Sequence, residues 1–168
     1  DPMCDADKTL ATFEKCKSHF PNALLCLSTN GLALPEHVDE IVRLGVSHVT
    51  VTVNAVTPDV GSKVYSWVRY EGKNYYGEEA ARILLARQDE GIRKLKEAGM
   101  LVKINTVVIP GVNIDHVQSI SAKAKQWGAD IMNCMAMIPV HDTPFENLKS
   151  PSTEEIHRIR RSIGGDID

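Results

Sequence analysis

The chain has no pair of cysteines close together in sequence. Its four cysteines, Cys4, Cys16, Cys26 and Cys134, are too scattered for a zinc ribbon or a disulfide scaffold. That spacing fits a reducing, cytoplasmic setting. No stretch approaches the roughly 18–20 apolar residues needed to span a bilayer, and no secretory signal is visible. A membrane role is therefore not expected. A basic excess is also missing. The formal net charge is −3, which gives little electrostatic reason to hold nucleic acid. The local cluster of His157, Arg158, Arg160 and Arg161 reads as the solvated face of a last helix. The familiar catalytic signatures are absent too: no G-x-S-x-G elbow, no H-E-x-x-H and no G-x-x-x-x-G-K loop. Ser28 has no neighbouring histidine. The chain opens on Asp1-Pro2 without a starting methionine and runs out on Gly164-Gly165-Asp166-Ile167-Asp168. It reads as a piece of a longer protein.

What is present suffices for one domain: 168 residues, 43% of them hydrophobic. Residues 7–19 carry Leu10, Phe13 and Cys16 at helical steps. Ala23 to Leu27 is a short continuous apolar run, the pattern of a strand covered on both faces. Residues 35–44 suggest a helix with Pro35 in its first turn and Val38, Ile41, Val42 and Leu44 on its apolar side. His48 to Val53 alternates and is rich in valine and threonine, so it is expected to be a strand. Residues 57–76 hold Trp67 and all four tyrosines, too long and aromatic for a casual connection. A long helix is expected over Glu78 to Ala98, with Ala81, Leu84, Leu85, Gln88, Ile92 and Leu95 in register. A strand over 101–109, a helix over 114–127 and a strand over 130–138 follow. Ser152 or Thr153 then caps a last helix with Glu154 or Glu155 completing a capping box. Strands alternating with helices predict an α/β fold with a parallel sheet, either doubly wound or part of a barrel.

In such folds ligands gather where the strands end. The strand ends here are rich in amides: Asn30, Asn54 and Asn105. An amide both donates and accepts, so it grips a polar ligand without adding charge. Asparagine is also a routine turn former, but three at successive strand ends favour a site. Gly31 and Gly111 permit close backbone approach. His48 is expected to be structural, and His37 and His116 to face solvent. His141 lies in the loop after the last strand, on the site side. Cys26 and Cys134, inside strands, read from composition as core thiols.

Taken together, four stretches resemble the NifB family of radical S-adenosylmethionine enzymes, which build the nitrogenase cofactor precursor. They are Asp1-Pro2, Leu25-Cys26-Leu27-Ser28-Thr29-Asn30-Gly31-Leu32, His48-Val49-Thr50-Val51-Thr52-Val53-Asn54 and Val108-Ile109-Pro110-Gly111-Val112-Asn113. The resemblance extends to Tyr65, Trp67, Tyr70 and Tyr76 and to Glu79-Ala80-Ala81-Arg82-Ile83-Leu84. It implies a partial TIM-type (β/α)6 barrel, of which residues 1–168 are the central and C-terminal part, from the end of strand 2 through strand 6 and its helix.

By that resemblance Asp1 and Pro2 close the glycine-rich motif that holds the methionine part of S-adenosylmethionine. Ser28 and Asn30 end the third strand and Asn54 the fourth. Asn105, Ile109 and Gly111 lie near ribose and adenine, and Met137 and Ile138 beside the adenine. Cys26 matches a cysteine that holds a precursor iron–sulfur cluster, which reverses its reading as a core thiol. The implied reaction fuses two 4Fe-4S clusters, with a carbide and an added sulfur, into an eight-iron precursor. One S-adenosylmethionine gives a methyl group and a second supplies a 5′-deoxyadenosyl radical. The implied partners are iron–sulfur precursor clusters with their carrier proteins, and nitrogenase cofactor maturation proteins. The CxxxCxxC motif that binds the family's catalytic 4Fe-4S cluster is not in this sequence and would precede Asp1. The later cysteine pair would follow Asp168. A chain of these residues alone is not expected to cleave S-adenosylmethionine. Another radical enzyme of cofactor maturation, or a non-catalytic β/α binding module, are the alternatives.

Overall fold

The computed structural model describes residues 1–163; the glycine-rich end at 164–168 lies outside them. A short 3₁₀ turn, Pro2–Asp5, is capped by Asp1 and leads into α1, Ala6–His19. Then come β1 (Leu25–Thr29), a 3₁₀ turn (Leu34–Glu36), α2 (Val38–Arg43) and β2 (Val46–Thr52). The aromatic segment forms α3 (Pro58–Val64) and two short strands, β3 (Trp67–Tyr70) and β4 (Lys73–Tyr76). It is followed by α4 (Gly77–Glu97), β5 (Leu101–Val108), α5 (Val117–Trp127), β6 (Ile131–Ala136) and α6 (Thr153–Ile163).

Four strands form one parallel sheet in the order β1-β2-β5-β6. The order advances in one direction without reversal, so the sheet lacks the switch point of a doubly wound fold. Burial separates its two faces. Along β5 the residues alternate, with Val102, Ile104, Thr106 and Val108 fully buried and the residues between them less so. Val102 and Ile104 pack with Leu27, Val49 and Val51 against Ile41, Ile92, Leu95 and Ile120 from the helices, and Val108 packs with Val117, Cys134 and Ile156. The other face carries no helix layer. One covered face and one open face describe a segment of a (β/α) barrel whose open side is its interior.

The same alternation corrects the reading of the first strand. It lies at 25–29, not 23–27. Leu25, Leu27 and Thr29 are buried, while Cys26 and Ser28 are exposed. The run of apolar residue types had suggested cover on both faces, yet Leu24 is 84% exposed. The expected helix over 35–44 is also divided into a 3₁₀ turn and a short α-helix. Val42 faces outward there.

Residues 67–76, expected only to be unusual, form an antiparallel hairpin. Its turn, Glu71-Gly72, has positive φ at both positions, 49° and 76°, the geometry of a two-residue type I′ connection. Val68, Tyr70 and Tyr75 pack with Ala80 and Leu84 of α4. Arg87 of α4 fastens the hairpin to the loop after β1. Its guanidinium lies 5.3 Å from the Tyr70 ring centroid, pairs with Glu36 and donates from Nε to the Leu32 carbonyl at 3.0 Å. The last helix begins with the capping box read from the sequence: Glu155 N–H donates to Ser152 Oγ, and Ser152 N–H to Glu155 Oε2. Among the described residues no helix is long and apolar enough to cross a membrane.

Candidate functional site at the open face and strand ends

Parallel register aligns the residues of the open face in rows. Cys26, His48 and Leu101 make the lowest. Ser28, Thr50, Lys103 and Ile131 make the next, and Thr52, Asn105 and Asn133 the third. Val107 and Met135 lie above them. Among the described residues these rows are mostly polar and carry no carboxylate. His48, expected to begin its strand, is the third residue of β2 and belongs to this face. Cys26 is exposed, whereas Cys134 is buried on the covered face. Burial raises the Cys134 thiol to about 11, only partly opposed by Arg160, so Cys134 is an inert core thiol.

Asn105 is the informative side chain. Its Oδ1 is buried and has no hydrogen-bond partner among the described residues. A buried amide oxygen without a donor costs about 1–3 kcal/mol; Gln88 Oε1 and Ser121 Oγ share that state, but of the three Asn105 alone stands in the rows of the open face. This unpaired oxygen is the feature of the strand ends that a polar cofactor's donor would fit.

The other strand-end amides are committed to the frame. Asn54, buried at the end of β2, accepts the Val107 N–H on Oδ1 at 2.9 Å. Asn113, fully buried in the loop after β5, donates from Nδ2 to the carbonyls of Asn54 and Val107, each at 2.9 Å. Its Oδ1 accepts the Ile109 N–H at 2.7 Å. Thr106 donates to the Val53 carbonyl at 2.8 Å. These bonds tie β2 and β5 together above the last ladder rung.

Gln88 makes the matching bond on the other side. Buried in α4, it donates from Nε2 to the carbonyls of Asn30 (2.7 Å) and Thr52 (3.0 Å). A Cβ at Gly31 would stand 3.0 Å from Gln88 Cγ, and Gly31 has φ +87°, so only glycine fits this turn. The Tyr65 hydroxyl accepts the Asn54 N–H at 3.2 Å. Burial raises its pKa, with hydrogen bonds to Asn54 and Gln88 opposing.

Asp1 joins the N-terminal turn to the end of β1. Its carboxylate accepts from Met3 N–H at 2.9 Å, Thr29 Oγ1 at 3.0 Å and Asn30 N–H. The Pro2 carbonyl accepts from Thr9 Oγ1. Asn30 turns its own Oδ1 onto the Leu32 N–H at 2.9 Å. Between this corner and the hairpin lies a cleft of about 370 Å³, lined by Asp1, Cys4, Asn30, Arg69, Tyr70 and Glu71 among others.

The structure thus gathers Cys26, Ser28 and Asn105 on one surface, with Asp1 and Asn30 at its β1 edge. Ile109 is buried in the β5 turn, and Gly111 beyond it has φ +70°. Met137 is buried just past β6, where its N–H bonds the Val108 carbonyl. Ile138 is 77% exposed. His116, expected to face solvent, instead accepts the Val56 N–H on Nε2 at 3.1 Å. Burial lowers its pKa against the opposing charge of Asp59, in keeping with a neutral acceptor. Gln88 and Asn113 went unassigned in the sequence. The available signal was a polar amide within an apolar helical stripe for Gln88, and an asparagine in the Pro110-Gly111-Val112-Asn113 turn for Asn113. His141, Asp142 and Glu146 form an exposed group in the loop after β6.

A model of the Radical SAM superfamily matches residues 1–124. FeMo cofactor biosynthesis protein NifB of Chlorobaculum tepidum is 37% identical across 98% of this chain and 39% of its own length. The proteins of the same name from Sinorhizobium fredii and Herbaspirillum seropedicae are 43% and 40% identical. They cover 98% and 100% of this chain and 34% and 33% of their own lengths. The chain therefore spans about a third of the length of the curated relatives it matches. Among solved structures, a domain of pyruvate-formate lyase-activating enzyme from Bacteroides vulgatus aligns with TM-score 0.68 and 16% identity, covering 98% of this chain and 89% of that one. The radical S-adenosylmethionine methyltransferase TsrM from Kitasatospora setae aligns with TM-score 0.55 and 18% identity, covering 85% of this chain and 27% of that one. These two likenesses concern the fold alone.

Proposed function

The chain belongs to the radical S-adenosylmethionine superfamily, and on that premise we propose that it forms the substrate-side wall of an enzyme that builds the iron–sulfur precursor of nitrogenase cofactor. Similarity to NifB proteins along nearly the whole chain supports the reading. The observation that carries it is Cys26, displayed on the open face and not packed in the core.

S-adenosylmethionine and a 4Fe-4S cluster, when bound, supply reductive cleavage and methyl transfer to the precursor clusters, giving the carbide-containing, sulfur-enriched eight-iron product. The chain's own residues hold and orient. Asn105 offers its unpaired carbonyl to a hydroxyl or amine of the cofactor. Ile109 and Gly111 shape the turn beside it, and Ile138, backed by the buried Met137, offers apolar surface to the adenine. Asp1 and Pro2 set the corner that receives the methionine part, with Ser28, Asn30 and Asn54 at the neighbouring strand ends. Cys26 takes a precursor cluster through its thiolate. An open face without carboxylates suits holding better than acid–base chemistry. Delivery by iron–sulfur carrier proteins and hand-over to nitrogenase maturation proteins, in the reducing cytosol, complete the proposal.

Cys26→Ala in the intact protein tests it. Iron and acid-labile sulfide should fall by one cluster's content, with an unchanged circular dichroism melt. Unchanged iron content and unchanged cluster spectra would overturn the assignment.

A further inference from the structure

Lys103 stands in the middle of the open face, half-buried, with Thr50 and Ile131 as its register partners. Among the described residues its side chain makes no hydrogen bond and no ion pair. The groups around it in the rows are Ser28, Thr50 and Ile131, with Cys26, His48 and Leu101 below and Thr52, Asn105 and Asn133 above. None is acidic. Arg160 of α6 is spent on β6, donating to the Cys134 carbonyl at 2.8 Å. The rows around Lys103 thus hold a cationic side chain and no counter-charge for it.

Cys26 is displayed on that same face. It lies two strand spacings away in the sheet, about 10 Å, and one row lower. A lysine stem together with a cluster seated on a cysteine thiolate spans such a gap. Iron–sulfur clusters held through thiolates and sulfides carry net negative charge, and their potentials follow charge and hydrogen bonding around the sulfurs. We infer that Lys103 is the counter-charge of the anionic iron–sulfur cluster seated at Cys26, with the Ser28 and Thr50 hydroxyls between them as donors to its sulfides. This rests on the reading that Cys26 holds a cluster. It assigns Lys103 a positioning role, not a chemical one.

The test uses the intact protein with its clusters. The spectral difference between the parent and Cys26→Ala defines the cluster at Cys26, whose midpoint potential and rate of loss to a chelator are then followed in Lys103 variants. Lys103→Met and Lys103→Gln should both shift the potential downward, because reduction adds negative charge that the ammonium no longer offsets. Both should also speed cluster loss several-fold, and Lys103→Arg should restore both quantities. An unchanged potential and rate in Lys103→Met and Lys103→Gln, with the Cys26→Ala difference intact, would overturn the inference while leaving the cluster reading standing. A lowered melting temperature without a potential shift would make Lys103 structural only and overturn it equally. No spectral change in Cys26→Ala would remove the cluster reading and this inference together.

Discussion

Asn105 separates two demands that usually coincide. Its side-chain carbonyl is buried without a donor, so in the empty chain it is a liability of about 1–3 kcal/mol. Leucine has nearly the same shape and no polar atom. Asn105→Leu is therefore expected to raise the melting temperature of the chain while weakening S-adenosylmethionine binding to the intact protein by about tenfold, the worth of one lost hydrogen bond. Calorimetry and titration of the two forms check this; a variant that melts lower and binds equally well would make Asn105 a frame residue. Residue identity alone could not separate Asn105 from Asn54, which the sequence placed in the same class. Their difference is set by partners distant in sequence: Val107 N–H reaches Asn54, and no described residue reaches the Asn105 oxygen. Cys26 was misread from composition for a related reason. A strand's exposed face is set by which side the helices cover, and an apolar run of five residues does not encode that.

At the level of elements, the connection from β2 to α4 holds most of what the sequence concealed. The parallel strands and their helices were legible because period and glycine punctuation agree there. Residues 57–76 were not, because a small helix and a hairpin share one aromatic stretch too short for either period to show. Side-chain size governs how α3 meets α4. A Cβ on Gly61 would come within 2.9 Å of Ala81 Cβ, closer than real contacts allow. Gly61→Ala is therefore expected to cost about 1–3 kcal/mol despite the better helix propensity of alanine, worth roughly 1 kcal/mol. Adding Ala81→Gly should recover the packing part. Urea unfolding of the two single variants and the double measures that coupling; additive effects would show that the helices simply move apart.

At the scale of the whole molecule, helix-to-helix electrostatics sit outside the sheet and away from the open face. Asp89 of α4 accepts from Arg93 (2.7 Å) and reaches α5 through Lys123 and Trp127 Nε1, both at 2.9 Å. Burial pushes its pKa up, but these three donors outweigh it and hold the carboxyl well below the usual range. A depressed folded pKa gives stability that is complete above the unfolded value near about 3.9 and is lost as pH falls through the folded one. Asp89 is partly exposed, so the contribution is discounted to about 1 kcal/mol. Between about pH 5 and 2 the parent should lose stability more steeply than Asp89→Asn, as urea unfolding across that range would record; parallel curves would show that the junction contributes nothing. That junction also contains one of the chain's two tryptophans. Trp127, the last residue of α5, is 6% exposed, and Trp67 is 56% exposed on the hairpin. The two indoles are therefore separate optical reporters: a soluble quencher reaches the hairpin's emission first, and the blue-shifted remainder follows the seam between α4 and α5.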